Sequence, residues 1–226
     1  MNRQELKGAL IGMILGDGCL VKQANHAYLT YVHSIKQEEY ALSKTKYLEL
    51  TKYNISYPTT ILNGKKYGKV VVRSLCHPFY TRLYERFYHQ KRKTVDEHLM
   101  KMLTPLGLAL WYQDDGHYHY YNGRNVIILC THNFNYAEHE LMQKWLLRKF
   151  GLNWSIKHDK HGYWLKLNRN QIGDFMEIIK PYMTLTYKLA TCGNEKPSPN
   201  EWVTRDEGGR FVRKSPVRGE DIVCSA

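Results

Sequence analysis

Two apolar helical runs close on the same dipeptide: Leu10-Ile11-Gly12-Met13-Ile14-Leu15-Gly16-Asp17-Gly18 and Leu108-Ala109-Leu110-Trp111-Tyr112-Gln113-Asp114-Asp115-Gly116, whose final Asp-Gly pairs lie 98 residues apart. The register continues beyond them. Lys46-Tyr47-Leu48 matches Lys144-Trp145-Leu146 at 98, His33-Ser34 followed by Glu38 matches His132-Asn133 followed by Glu138 near 99, and Arg92-Lys93-Thr94 parallels Tyr187-Lys188-Leu189 at 95. Self-similarity at a fixed period governs the whole fold, so residues 1–194 are two copies of one unit of about 95 residues, joined near Val95 to Thr104. The halves are 1–95 and 96–194, with 195–226 as a flexible tail. That tail holds three of the seven prolines, the Gly208-Gly209 pair and little apolar periodicity.

Each copy reads as helix, hairpin, helix, hairpin, helix. In the first, Gln4 to Gly16 is a helix ended by a positive φ at Gly18, Leu20 to Lys22 and Tyr28 to His33 form a hairpin, and Gln37 to Tyr53 is a second helix. Thr59 to Leu62 and Lys69 to Arg73 then flank a turn over Asn63 to Gly68, and His77 to Tyr88 is helical. The second copy runs through Thr104 to Asp114, His117 to Tyr121, Asn125 to Thr131, Tyr136 to Phe150, Trp154 to His158, Tyr163 to Asn168 and Asn170 to Tyr182. The expected class is α+β: two pseudo-symmetric αββαββα halves, each with a four-stranded antiparallel sheet.

The charge fits a polyanionic partner. Lys and Arg number 33 against 21 acidic residues, for +12 overall, and the tail is balanced at six against six, so the whole excess lies in 1–194. The longest apolar run, Ala9 to Gly16, is far short of the roughly 20 residues of a membrane-spanning helix. It ends in Gly-Asp-Gly, a poor signal-peptidase site. Five cysteines without a CxxC pair argue against a disulfide framework and a zinc ribbon. An intracellular setting, in bacterial or phage cytoplasm or an organelle, is expected.

Gly8, Gly12 and Gly16 recur every four residues on one helical face, which lets another backbone approach closely at a cost of about 1 kcal/mol per glycine. The natural partner is the equivalent helix, through Gly107 and Ala109. Side by side, the two helices bring Asp17 and Asp115 together at their C-terminal ends, where both meet the negative ends of the helix dipoles. Such a placement calls for divalent cations. Lys93 and Lys188, in matching contexts, could reach the same centre, although each alone reads as a solvated charge. His33 and His132 could hold water or phosphate, or equally be structural.

These residues resemble the LAGLIDADG homing endonucleases of the single-chain, two-motif type, over about residues 6–190. The resemblance implies motif helices at the interface of two halves whose sheets form a saddle over DNA. It places divalent metal at Asp17 and Asp115, assigns carbonyl contributions to Gly16 and Asp114, and sets Lys93, Lys188, His33 and His132 around a metal-bound water network. Trp111 and Gln113 depart from the small and acidic residues of the motif. Phosphodiester hydrolysis near neutrality needs metal-activated water, and an all-oxygen site with retained waters suits Mg²⁺, with Mn²⁺ able to substitute.

Strand alternation puts Lys69, Val71 and Arg73 on one face, His117, His119 and Tyr121 on another, and Trp164, Lys166 and Asn168 on a third. Lys22, Gln23, Asn25, His26, Lys65, Lys66, Asn122, Arg124, Lys157, His158 and Lys160 sit on strands or hairpin tips within reach of phosphates or base edges. The expected activity is a monomeric, site-specific, intron-encoded double-strand DNA endonuclease acting on a long asymmetric target. An RNA-binding intron maturase on the same scaffold is the alternative, and a nuclease-dead DNA-binding regulator a third.

Overall fold

A computed structural model describes residues 1–121, 124–185, 188–189, 203–205 and 211–213. Residues 1–190 form one compact unit. Its centre is the pair α1 (Arg3–Leu15) and α5 (Pro105–Asp115). Asn2 caps α1 in a reciprocal capping box with Glu5, while Thr104 caps α5 ahead of Pro105. The glycine stripe does what its spacing predicts. A Cβ on Gly12 would collide with the Gly107 carbonyl, one on Gly107 with the Gly8 carbonyl, and one on Gly8 with the Thr104 side chain. The helices therefore touch backbone to backbone.

In the first half, β1 (Cys19–Gln23), β2 (His26–Ser34), a short helix α2 (Glu38–Ser43), β3 (Tyr53–Ser56), β4 (Thr59–Leu62), β5 (Lys65–Ser74) and α3 (Pro78–Phe87) follow α1. The sheet order is β1-β2-β5-β3, all antiparallel, with β4 on the early part of β5. This gives five strands, not the expected four, because Tyr53–Ser56 is a strand rather than a helix end. The expected helix over 37–53 is also broken: α2 stops at Ser43, and Lys44–Tyr47 is a 3-10 turn. Ser43 and Thr45 hydroxyls bond the carbonyls of Tyr40 and Leu42, each at 2.8 Å, the local competition that loosens helix ends. The turn between β4 and β5 is tighter than expected. Asn63 and Gly64, at φ of 49° and 74°, make a two-residue connection, so Lys65 and Lys66 lie on β5. Gly18 does not take a positive φ. α1 ends at Gly16 with φ −82°, and Gly18 is required because its backbone closes on the helix end, its N–H donating to the Met13 carbonyl at 2.7 Å.

The second half is entered through β6 (Tyr88–His89), β7 (Arg92–Lys93) and α4 (Glu97–Met102). After α5 come β8 (Gly116–Tyr121), β9 (Arg124–Leu129), α6 (Tyr136–Phe150), β10 (Trp154–Asp159), β11 (Gly162–Leu167) and α7 (Ile172–Ile179), with sheet order β10-β11-β9-β8. The last expected helix, 170–182, is split into two 3-10 turns around α7. One continuous apolar core joins both halves, with Leu10, Met13, Leu108, Trp111 and Tyr112 at or near zero exposure. Within the expected tail, β12 (Val203–Arg205) and β13 (Phe211–Arg213) pair antiparallel; the rest of that segment lies outside the described residues. No described helix is long and apolar enough to cross a membrane.

Candidate active site

The C-terminal ends of α1 and α5 bring Asp17, Asp114 and Asp115 near enough for their charges to act on one another. Burial, then Asp17, then Asp114 push the Asp115 carboxyl up to about 7. Asp17 is raised as well, by burial and by Asp114, although its side chain is 44% exposed. Crowded carboxylates whose ionisation is this disfavoured are what a divalent cation relieves.

The lysines converge as the repeat predicts. Lys93 Nζ donates to the carbonyls of Ile14, Gly16 and Gly18 at 2.7, 3.0 and 3.2 Å. Lys188 Nζ donates to those of Gln113, Gly116 and Asp114 at 2.6, 2.9 and 3.4 Å. Each ammonium thus caps the negative end of one motif helix. Burial lowers the pKa of both, while the aspartates oppose that shift. The Gly16 and Asp114 carbonyls assigned to metal by resemblance are here engaged by these lysines.

Gln113, one of the two motif departures, has a defined task. Its buried side chain accepts from the Thr184 and Leu185 N–H groups at 2.6 and 2.9 Å and donates to the Tyr182 carbonyl at 3.3 Å. It pins the segment that carries Lys188.

Asp114 behaves unlike the other two aspartates. Its side chain is fully buried and crosses into the first half, where Lys44 Nζ, also fully buried, reaches Oδ1 and Oδ2 at 2.9 and 2.8 Å. The Tyr40 hydroxyl adds a bond to Oδ1 at 2.7 Å, and the Asp17 N–H one to Oδ2 at 3.2 Å. A carboxylate offers about four lone-pair sites, and these four donors fill them. Asp17, His33 and Asp114 do place one potential ligand atom each within 4.8 Å of one another. With Asp114 saturated, however, the carboxylates open to a cation are Asp17 and Asp115. Those two, at the ends of paired helices, fit a divalent ion by their oxygen chemistry.

Neither Lys44 nor Tyr40 is among the residues expected at the site. Lys44 sits at the apolar phase of its segment, with Tyr40, Ala41, Tyr47 and Leu48, which marks a lysine that must be buried and paired.

The two histidines part company. His33 on β2 is buried, with Nδ1 3.7 Å from Asp17 Oδ2 and Nε2 3.9 Å from Asp114 Oδ1; burial and Lys44 lower its pKa to about 4. His132 follows β9 and pairs with Asp159 at 3.4 Å, its ring against His161. None of its described contacts reaches a motif aspartate. At the offset that relates Asp17 to Asp115, the counterpart of His33 is Thr131, one residue earlier, buried and bonded to His139 at 2.8 Å.

The outer sheet faces carry most of the expected contact residues. On the first sheet the registers Gln23↔His26, Thr30↔Arg73, Asn54↔Arg73 and Ser34↔Lys69 place these side chains on one face. Arg73 stacks 3.9 Å from the Tyr28 ring centroid and donates to Gln23 at 3.3 Å. Asn25 lies exposed in the turn beside them, and Lys65 and Lys66 are exposed on β5. Lys22 has the opposite parity, its Nζ 6.0 Å from the Tyr84 ring of α3.

On the second sheet His117, His119, Arg124, Lys157 and Lys166 share the outer face with Trp164, and Tyr121 holds a matching register position. His158 pairs with Tyr163 on the opposite parity, and Lys160 is exposed at the hairpin tip. Asn168 lies past β11, where its side chain caps a 3-10 turn by accepting from Asn170 N–H at 3.1 Å. Asn122 lies outside the described residues.

The family profile described as LAGLIDADG DNA endonuclease family matches residues 7–175. The chain belongs to that family. As a LAGLIDADG protein it is a DNA endonuclease, a hydrolase whose family chemistry depends on divalent metal. It is 26% identical over 209 residues to DNA endonuclease I-ChuI of Chlamydomonas applanata, covering 83% of this chain and 95% of that one. It is 27% identical over 190 residues to the probable intron-encoded endonuclease 1 of Wickerhamomyces canadensis, covering 80% and 81%. Its fold matches that of the homing endonuclease I-WcaI bound to its DNA recognition sequence, with a TM-score of 0.75 at 24% identity over 83% of this chain and 86% of the other. The LAGLIDADG helices are thus α1 and α5.

Proposed function

We propose that this chain is a site-specific homing endonuclease that cuts both strands of a long asymmetric DNA target, working as a monomer with Mg²⁺ at Asp17 and Asp115. The observation that carries this is the charge coupling of those carboxylates at the ends of two packed helices, with Asp115 lifted to about 7 and each helix end held by one lysine. Both halves of the machinery lie in one chain, so no second copy is needed.

The basic and aromatic outer faces of the two sheets take the DNA: Lys69, Arg73, Arg124, Lys157 and Lys166 supply charge for phosphates and guanine edges, and Gln23 and Asn54 suit adenine. Asp17 and Asp115 would hold Mg²⁺, which when bound would supply Lewis acidity and lower the pKa of a water. Asp17 and Asp115 hold the charge that recruits it. Lys93 and Lys188 stand beside the two carboxylates, one in each half, placed to stabilise negative charge developing on a scissile phosphate. His33 offers a polar edge on the first-half side.

The test is cleavage of a randomised duplex library with Mg²⁺ by wild type, Asp17→Asn and Asp115→Asn. Discrete staggered cuts by wild type, abolished or reduced to nicks in the variants, support the reading. Absence of cutting alongside tight, salt-sensitive binding to structured intron RNA would favour a maturase instead.

A further inference from the structure

We propose that Lys44 is a positioning residue for one of the two strand cuts: its buried ammonium, anchored on Asp114, fixes the His33 ring so that Nδ1–H faces Asp17, and among the described residues the other half shows no such device. This rests on the endonuclease reading above.

An ammonium has three N–H bonds and no acceptor. Lys44 Nζ has three acceptors around it: Asp114 Oδ1 at 2.9 Å, Asp114 Oδ2 at 2.8 Å and His33 Nε2 at 3.1 Å. The Tyr31 and Tyr40 rings, 4.7 and 5.0 Å from Nζ, complete its shell with their negative faces. Nε2 of His33 must therefore present its lone pair to Lys44, which leaves the ring proton on Nδ1. That nitrogen faces Asp17 Oδ2 across 3.7 Å, a gap that a small side-chain shift closes to hydrogen-bond length. The Gln37 side chain also bonds the ring. With Nε2 taken by Lys44, the Gln37 amide oxygen is left to accept from Nδ1–H, which agrees with its raising effect on the ring and leaves that proton shared between Gln37 and the side facing Asp17.

His33 in this state has no lone pair to give a metal. It is a donor that orients an Asp17 oxygen, in the way that outer-shell groups orient metal ligands. The second half differs at each point: Thr131 stands in place of His33 and turns to His139, and Met142 lies 98 residues after Lys44, within the apolar core.

Removing Lys44 alone strands a buried carboxylate and threatens the fold, so the decisive variant is Lys44→Met with Asp114→Asn, which removes both charges. Wild type and the double variant are compared on one cleavable duplex, with each strand labelled separately. The expected result is unchanged DNA affinity with the turnover of one strand lowered on the order of 10²-fold, so that duplex nicked always in the other strand accumulates. Imidazole ¹⁵N NMR of His33 is expected to report Nδ1–H in wild type and a mixed or exchanged tautomer in the variant. Wild-type rates on both strands, equal slowing of both, or an unchanged His33 signal would each overturn the assignment. If wild type itself cuts no duplex, the endonuclease reading fails, and the His33 signal still decides whether Lys44 sets the ring.

Discussion

Arg92 of the first half grips Glu138 of the second with both arms of its guanidinium, at 2.8 and 3.1 Å. Glu138 also accepts from the N–H groups of Asn135 and Val95, closing the capping box of α6 and tying down the strand that ends at Lys93. The two members of the pair are unequal. The Arg92 side chain is 48% exposed and that of Glu138 is 9% exposed. Truncating Glu138 to Ala leaves a buried N–H unpaired and removes a cap, for a loss of about 2 kcal/mol. Arg92→Met is expected to cost less than about 1 kcal/mol. Urea midpoints of the two variants measure this; an equal loss would contradict it.

The backbone contact of the motif helices predicts opposite outcomes for two glycines. Gly12→Ala drives a methyl into the Gly107 carbonyl, which is backbone and cannot swing aside, so loss of several kcal/mol or insoluble protein is expected. Gly173→Ala, in α7 with open space around it, should raise stability by up to about 1 kcal/mol. Thermal melts of both variants provide the check.

Two groups make the metal-free stability depend on pH with opposite signs. Asp115 keeps its proton to about 7 when folded but loses it near 3.8 when unfolded, so its contribution falls as pH rises across that window, by about 4 kcal/mol in all. His33 stays neutral down to about 4 when folded, while the unfolded ring protonates below 6.5, so its contribution rises with pH over 4 to 6.5 by about 3 kcal/mol. They nearly cancel. Asp115→Asn should therefore uncover stability that climbs from pH 4 to 6.5, and His33→Gln stability that declines. Added Mg²⁺ should raise the wild-type melting temperature most at pH 7 and above, where Asp115 can ionise, and hardly at pH 5.

Salt dependence of DNA binding separates the two faces of the first sheet. Lys69→Ala and Arg73→Ala, on the outer face, should each reduce the slope of log K against log salt by about 1. Lys22→Ala, whose side chain lies against α3, should leave it unchanged. Filter binding at four salt concentrations is sufficient, and a slope change for Lys22 equal to the others would reject the assigned DNA face.

The duplicated Asp-Gly helices, the glycine contact, the lysines on the helix ends and the alternation of the outer strands were all legible in the chain, because each rests on a period of two, four or about 98 residues. What escaped lies outside any period. Lys44 and Asp114 are 70 residues apart and belong to different halves, so no local pattern joins them. His132 matches His33 by letter, yet it is one position out of register, and the position that corresponds is Thr131. The long helix expected over 37–53 fails where Ser43 and Thr45 turn their hydroxyls onto the backbone.

The space for the Asp114 side chain exists because Gly16 has none: a Cβ there would stand 2.5 Å from the Asp114 Cβ. The halves are consequently committed to each other and cannot be exchanged. A homodimer of two first halves would set Gly16 against Gly16 and leave two buried Lys44 ammoniums with no counter-ion. One of two second halves would press Asp114 against Asp114 with no lysine to receive either. Neither half carries alone the opposite charge that its own buried residue requires.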